Sequence, residues 1–215
     1  MSRKRPPARG GRRPTGKGES TRADPSAAAS PPLLIVGVGA SAGGLEACQR
    51  LLQGAPTDAG LAFVIVLHLA PGEPSHVAEI LQRATALTVT QVAGDERVER
   101  DHVYVIAPGT SLGIRDGALA VGAPDEPHFR ARPIDAFFSA LAAGSGPGAA
   151  GIVLSGSGDD GSAGLRAVRE AGGLCLVQEP ATAAYGAMPR AAIDTGAADT
   201  VVRPEGMGEI LRRFA

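Results

Sequence analysis

The sequence contains no tryptophan, and its aromatic residues amount to only 3%. This scarcity disfavours nucleic-acid binding on aromatic platforms, where rings stack on bases. The only two cysteines, Cys48 and Cys175, stand in unrelated contexts, which excludes a disulfide scaffold and suits a reducing cytoplasm. No apolar run reaches the roughly 18 residues of a membrane span, and no apolar segment follows the basic N-terminal stretch as in a secretory signal. We therefore expect a cytoplasmic protein without membrane insertion.

Charge is distributed unevenly along the chain, although the formal net charge is only −1. Residues 1–32 hold eight Lys or Arg and two acidic residues, whereas the remainder carries a net charge of −7. Because this Pro- and Gly-rich segment cannot bury enough surface to offset its ordering entropy, we predict a disordered basic tail over 1–32 and one folded domain over 33–215. A solubilising arm is the simpler interpretation of the tail, and an arm for nucleic acid or anionic membrane is the alternative.

Beyond residue 32, apolar strand-like runs alternate with segments of helical spacing. Strands are predicted over 33–38, Leu61–Leu67, 87–92, 102–107, 151–154, Leu174–Gln178 and Thr200–Val202. Helices are predicted over 43–53, 73–85, 133–143, 162–171, 189–194 and 207–214. A hairpin is predicted over 112–121, with Asp116 and Gly117 at its turn. Continuous apolar strands between helices are typical of a doubly wound, mostly parallel sheet in a three-layer α/β/α fold.

The glycine-rich stretch after the first predicted strand fits two functional patterns. Gly37, Gly39 and Ala42 match the dinucleotide-binding fingerprint in its alanine-terminated form. Gly39, Ser41 and Gly43 match G-x-S-x-G, a sharp turn that lifts a serine hydroxyl above a sheet. A tight strand-to-helix turn with no further role is a third interpretation.

The end of the second predicted strand favours the serine pattern. A dinucleotide site needs an acid there to bind the ribose hydroxyls, but the sequence has His68 instead. Serine is a weak nucleophile until an adjacent base takes its proton, and His68 should stand beside Ser41 at the neighbouring strand end. The other histidines fit less well, since His102 begins its strand at the opposite edge, His76 lies in a helix and His128 lies in a loop.

A serine and histidine pair also needs an acid to hold the imidazole tautomer. The strand at 151–154 leads to Asp159 and Asp160 in a glycine-rich stretch. One of them is expected to cap the following helix, which leaves the second available for His68. The chain order of serine, histidine and acid differs from that of the α/β-hydrolases. We expect neither a metal nor another cofactor, since no His, Cys, Asp or Glu cluster has ligand spacing.

The body of the chain resembles the catalytic domain of the chemotaxis-type protein-glutamate methylesterases, over roughly residues 33–211. The segments that carry this resemblance are Gly39 to Gly44, Val66 to Leu69, Val103 to Gly109, Arg132 to Asp135 with Phe137 and Phe138, Leu154 to Gly161, Val177 to Pro180 and Met188 to Ala192. Their order along the chain is the order expected for the family.

The resemblance implies a hydrolase that removes methyl groups from glutamate γ-methyl esters on the cytoplasmic helices of methyl-accepting chemoreceptors. It also implies deamidation of specific receptor glutamines. Ser41 is then the nucleophile, His68 the general base and Asp160, the acid preceding glycine, the group that orients the imidazole. An oxyanion-hole amide is implied near Ser157, with a second expected at the Ser41 turn.

The sequence also departs from the family pattern. Ala42 stands where many relatives have threonine, and Ser157 stands where many have methionine. No receiver domain is recognisable upstream, so we do not expect phosphorylation of an attached receiver to switch this chain. These departures keep open a catalytically silent module that binds partners in a chemosensory complex. Dinucleotide-dependent reduction is a third hypothesis, but the sequence lacks the acid that such a site needs at the end of the second strand.

Overall fold

The computed structural model describes Met1 and residues 33–69, 75–122 and 132–215, and its central layer is a sheet of seven parallel strands. The strands are β1 (Leu34–Ala40), β2 (Leu61–Leu67), β3 (Thr88–Gln91), β4 (Glu96–Arg97), β5 (His102–Val105), β6 (Ser111–Arg115), β7 (Ala118–Gly122), β8 (Ala149–Val153), β9 (Leu174–Gln178) and β10 (Thr200–Val202). The helices are α1 (Gly44–Gln53), α2 (Val77–Gln82), α3 (Pro133–Ser145), α4 (Ser162–Glu170), α5 (Ala187–Asp194) and α6 (Pro204–Phe214).

The main sheet runs in the order β10-β9-β8-β1-β2-β5-β3, and all its neighbouring strands are parallel. A smaller antiparallel sheet, β4-β7-β6, contains the predicted hairpin. Asp116 and Gly117 both have positive φ at its turn, as a tight two-residue hairpin connection requires. These observations confirm the predicted doubly wound parallel fold with an added hairpin.

Two hydrophobic cores cover the two faces of the main sheet. One contains Val36 and Val38 of β1 with the buried sides of α1, α2 and α6. The other contains Ile35 of β1 with α3, α4, α5 and the small sheet. Every residue of β1 and β2 is buried, which explains why these strands are continuously apolar instead of alternating.

Two glycines of β1 allow α3 to pack closely on the sheet. A Cβ at Gly37 would lie 2.8 Å from Leu141 Cδ2, and a Cβ at Gly39 would overlap Ile134. Helix packing therefore accounts for both glycines of the dinucleotide fingerprint, without the approach of a ligand.

Several element boundaries differ from the predictions. The last helix begins at Pro204 and not at residue 207, because proline at the first helical position has no amide to leave unpaired. Helix α5 begins at Ala187, and Pro189 is accommodated in its first turn. Strand β4 has only two residues and no periodic signal, and it was not predicted. The predicted helix over 73–85 is observed as α2, and its first two residues lie outside the described ones.

Residues 31–215 form one unit of the chain, in which the described residues contain no helix that is long and apolar enough to cross a membrane. The predicted tail over 1–32 lies, apart from Met1, outside the described residues, and His128 lies outside them too. The extent of the tail therefore stays a prediction.

Candidate active site

Ser41 is the first residue after β1, at the carboxyl edge of the sheet, and it is half-buried. The chain turns sharply there, with the Gly44 amide donating to the Ser41 carbonyl at 2.8 Å. Gly43 precedes α1 in the left-handed region, with φ of 68°, which disfavours residues that carry a Cβ. This tight turn presents the Ser41 hydroxyl above the end of the strand.

His68 is the first residue after β2, which pairs with β1 so that Ala40 lies opposite Leu67. The parallel register therefore places Ser41 and His68 side by side. The hydroxyl oxygen of Ser41 lies 3.0 Å from Nδ1 of His68. The imidazole is about one-third exposed, so one side of it remains open to a substrate.

Asp160 approaches His68 from the loop after β8, the other neighbour of β1. Its Oδ2 lies 2.8 Å from Nε2 of His68, and the residue is only 5% exposed. The structure therefore brings together the three residues singled out in the sequence. The nitrogens are used in the opposite sense to the serine-protease template, in which Nε2 faces the serine.

The carboxylate of Asp160 is surrounded by backbone amides. Oδ2 accepts the amide of Ile134 at 3.1 Å, and Oδ1 accepts those of Asp135 at 3.0 Å and Gly161 at 2.9 Å. Burial raises the pKa of Asp160, but the hydrogen bond from His68 and the amides of Asp135 and Ile134 outweigh it, so that the pKa lies below its ordinary value. An ionised Asp160 only accepts hydrogen bonds, so the proton of a neutral imidazole sits on Nε2. Nδ1 is then free to accept the Ser41 proton.

Asp135 links the two helices beside Asp160. Its Oδ1 accepts the amide of Gly164 in the first turn of α4 at 2.7 Å, and its Oδ2 receives Nε of Arg132 at 2.6 Å. Arg132 also donates to the Asp159 carboxylate at 2.9 Å. The hydrogen bonds that Arg132 donates to Asp159 and Asp135 raise the pKa of its guanidinium.

The expectation that one of the tandem acids caps α4 is wrong. Gly161 is the residue at the N-cap, in a left-handed conformation with φ of 90°, and no side chain of its own caps the helix. Asp159 turns outward to Arg132, while Asp135 supplies the carboxylate to the α4 amide from a distant segment. Sequence spacing could not reveal this, because local capping signals do not describe contacts across 29 residues.

The buried side chain of Ser155 also holds the nucleophile turn in place. The hydroxyl of Ser155 donates to the Ala42 carbonyl at 2.8 Å and accepts the Tyr185 amide at 3.0 Å. The amide of Ser155 donates to Oε1 of Gln178, which is 1% exposed, at 2.9 Å. Sequence reasoning had assigned these two side chains no role. The available signal was a polar residue, Gln178, at the end of an otherwise apolar strand.

The amides around the turn differ in what they can offer a substrate. The amide of Ser41 donates to the Ser155 carbonyl at 2.9 Å, and the amide of Gly156 donates to Tyr185 at 3.0 Å, so both are engaged. The amides of Ala42 and Ser157 have no acceptor among residues 33–69, 75–122 and 132–215. At the turn, the amide of Ala42 is therefore available to a bound substrate, whereas the amide of Ser41 is not.

His76, His102 and the two cysteines lie away from this group. His102 stands at the start of β5, where it stacks on Tyr104 with ring centroids 4.5 Å apart. His76 precedes α2 and contacts the exposed Glu79. Burial raises the pKa of Cys48 to about 12 and that of Cys175 to about 11, so both thiols stay protonated and inert at neutral pH.

Within the described part of the chain, no group of three or more His, Cys, Asp or Glu side chains could hold a metal ion. A cavity of about 280 Å³ lies beside the nucleophile turn. Gly43 and Ser155 line the cavity next to Ser41, and Arg50 of α1 lines it farther away. The segment 181–184 forms its opposite wall.

Comparison with known proteins gives relatives over most of the chain. A protein-glutamate methylesterase/protein-glutamine glutaminase 1 of Xanthomonas campestris is 38% identical over 183 residues, which cover 82% of this chain and 50% of the relative. A protein-glutamate methylesterase/protein-glutamine glutaminase of Bordetella pertussis is 39% identical over 174 residues, which cover 78% of this chain and 49% of the relative. The chain thus spans about half the length of these curated relatives.

Among solved structures, the CheB methylesterase catalytic domain of Thermotoga maritima superposes with a TM-score of 0.76 at 27% identity. The match covers 84% of this chain and 98% of that domain. The family model described as CheB methylesterase matches residues 36–211, the segment that contains Ser41, His68 and Asp160. The family model covers most of the chain, and the solved catalytic domain shares its fold. This chain therefore belongs to the CheB methylesterase family.

Proposed function

We propose that this chain is a serine hydrolase that removes methyl groups from glutamate γ-methyl esters of chemoreceptors and also deamidates receptor glutamines. The observation that carries the proposal is the continuous hydrogen-bonded series from the Ser41 hydroxyl through His68 to the buried Asp160 carboxylate. The printed names of the relatives, protein-glutamate methylesterase/protein-glutamine glutaminase, support the substrate class. The partners would be cytoplasmic receptor helices, which places the enzyme in the cytoplasm.

The first half of the reaction forms a glutamyl ester on Ser41. The Ser41 oxygen attacks the ester carbonyl carbon while Nδ1 of His68 takes its proton, and the Asp160 carboxylate stabilises the resulting imidazolium. The amides of Ala42 and Ser157 donate to the oxyanion of the tetrahedral intermediate, each contributing roughly 3–4 kcal/mol. The intermediate then expels methanol, which receives the proton from Nδ1. From a glutamine side chain the leaving group is ammonia.

The second half returns the enzyme to its starting state. Water attacks the glutamyl ester while Nδ1 of His68 again takes a proton, and the tetrahedral intermediate collapses with Ser41 as the leaving group. The hydroxyl of Ser41 recovers its proton from the imidazolium, and a glutamate carboxylate is released. No other reactant than water is needed.

The residues that depart from the family pattern do not remove these steps. Ala42 and Ser157 take part in the reaction through their backbone amides, which any residue other than proline supplies. Their side chains would alter only the wall of the site. These two departures therefore give no support to the silent partner-binding module.

Methanol release from a methylated cytoplasmic receptor fragment tests the proposal. The full chain should release methanol, and Ser41→Ala should lower the rate by roughly 10⁴–10⁶-fold while the protein stays folded. A serine-directed phosphonate should label the unaltered chain and leave Ser41→Ala unlabelled. Methanol release that survives the substitution would contradict the assignment of Ser41 as nucleophile. Labelling of the unaltered chain without methanol release would contradict receptor methyl esters as its substrate.

A further inference from the structure

Tyr185 is an exposed aromatic side chain next to the nucleophile turn. The chain has only two tyrosines, of which Tyr104 is buried and Tyr185 is 52% exposed. The other large apolar side chains that are exposed in the described residues lie elsewhere, among them Val201 on the edge strand β10 and Phe214 at the end of α6. An aromatic ring that is half exposed at the surface is a candidate for contact with a partner molecule.

The backbone of Tyr185 is held rigidly although its ring is exposed. Its amide donates to the hydroxyl of Ser155, and its carbonyl accepts the amide of Gly156 at 3.0 Å. The same Ser155 hydroxyl donates to the carbonyl of Ala42, next to Ser41. One buried hydroxyl therefore fixes both the nucleophile turn and the residue that presents the ring.

The ring lies against the turn itself. A Cβ built on Gly43, two residues beyond Ser41, would stand 3.3 Å from Cδ2 of Tyr185 and 2.6 Å from Cβ of Ala184. The missing side chain at Gly43 thus leaves room for the edge of the ring. Gly43 and Ala184 also line the cavity of about 280 Å³, so open volume adjoins the ring.

A polypeptide substrate must lie over these residues. Its esterified side chain can reach the Ser41 hydroxyl only if the flanking backbone and side chains pass across the surface around the turn. A rigid tyrosine gives large contact area at small loss of conformational entropy, which is why it is favoured at binding surfaces.

We propose that Tyr185 is a specificity-determining residue, whose ring packs against the receptor segment that flanks the esterified glutamate. The adjoining cavity receives a neighbouring side chain of that segment. This inference rests on the proposed function, because it takes a polypeptide ester as the substrate. The ring is needed to dock the polypeptide, and it takes no part in the chemistry at Ser41.

The test compares a large and a small substrate with the full chain. Methanol release from a methylated receptor fragment and hydrolysis of p-nitrophenyl acetate are measured for the unaltered chain, Tyr185→Ala and Tyr185→Phe. We expect Tyr185→Ala to lower kcat/KM for the fragment about tenfold through KM, as loss of an aromatic anchor does, and to leave the small ester unchanged. Tyr185→Phe keeps the ring and should behave as the unaltered chain. Phe214→Ala, which removes an exposed ring at the end of α6, is the matched control and should change the rate on neither substrate.

The outcomes separate this inference from the proposed function. An equal loss on both substrates would overturn it, since Tyr185 would then act only by holding the turn. An unchanged fragment KM in Tyr185→Ala would overturn it as well. A failure of the proposed function would be seen in the unaltered chain. That chain would hydrolyse the small ester in a Ser41-dependent reaction but would release no methanol from the receptor fragment.

Discussion

Asp135 and Asp160 each accept a hydrogen bond from backbone amides in the first turn of the helix next to the other aspartate. Asp160, which comes just before α4, accepts the amides of Ile134 and Asp135 in the first turn of α3. Asp135, in that turn of α3, accepts the amide of Gly164 in the first turn of α4. Because helix N-termini carry partial positive charge, the start of α3 favours the ionised form of Asp160, whose pKa lies below its ordinary value. The position of the carboxylate beside His68 therefore depends on the packing of two helices.

Asp160→Asn should be far more damaging to activity than Asp159→Asn. An asparagine at 160 can offer an N–H to His68 in place of an acceptor, which favours the wrong imidazole tautomer and lowers kcat by about 10⁴-fold. Asp159 touches only Arg132 among these groups, and its carboxylate is 66% exposed. Methanol release by both variants, at equal protein concentration, measures the difference. Equal losses would mean that Asp160 has no special role as the orienting acid.

Asp135→Ala should lower both stability and kcat, although Asp135 does not touch the substrate site. The substitution leaves the Gly164 amide and Nε of Arg132 without their acceptor, which costs about 1–3 kcal/mol of unfolding free energy. It should also loosen the start of α3 and with it Asp160, so kcat falls while KM is retained. Urea unfolding and steady-state kinetics of the same preparation measure the two effects.

The conservative change Asp135→Asn supplies the comparison. Its side-chain oxygen can still accept the Gly164 amide, so most of the stability and activity should return. Glu170→Ala, an exposed change at the other end of α4, is the control and should leave both quantities unchanged. A loss of stability without any fall in kcat would contradict a positioning role for Asp135.

The fold and the positions of Ser41 and His68 could be predicted because they follow from the short-range pattern of the sequence. Continuous apolar strands alternate with amphipathic helices, and parallel strands bring their carboxyl ends to one edge, where Ser41 and His68 stand. The choice of Asp160 over Asp159 rested on family resemblance, since both acids follow the same strand. The structure places Asp160, and not its neighbour, 2.8 Å from the imidazole.

The polar groups that support these side chains could not be predicted in the same way. Asp135 and Gly164 are 29 residues apart, and Ser155 and Ala42 are 113 apart. Such contacts depend on the angle at which elements pack, and neither periodicity nor a capping motif encodes that angle. Gly37 and Gly39 illustrate the same limit, since the sequence shows a ligand-binding fingerprint while the structure uses both for close helix packing.

The stability of the protein should fall in acid partly because of Asp160. The pKa of Asp160 is lower in the folded protein than the value of about 3.9 expected for an unfolded chain, so between these two values the unfolded state binds more protons. Its stabilising contribution is complete above about pH 4 and is lost as the pH falls through the lower folded value. The difference in unfolding free energy between the unaltered chain and Asp160→Asn should therefore narrow below about pH 4. Urea unfolding over this pH range measures it, and a difference that stays constant would contradict the lowered pKa.

Gly39→Ala should be strongly destabilising, although it adds only one methyl group. The new Cβ would overlap the side chain of Ile134, which is fully buried in the first turn of α3. Overpacking of this kind costs about 1–3 kcal/mol. The push would also displace the Ile134 amide, which donates to Asp160, so kcat should fall together with stability.

A double-mutant cycle isolates this contact. Ile134→Ala alone leaves a cavity and costs about 2–5 kcal/mol. Combined with Gly39→Ala, it removes the methyl group that the new Cβ would meet, so the double variant should lose less stability than the two single losses together. Because the residues touch, a coupling of about 0.5–3 kcal/mol is expected from urea unfolding of the four proteins. Strict additivity would mean that α3 shifts away as a unit, in which case Gly39 would not determine how closely the helix approaches β1.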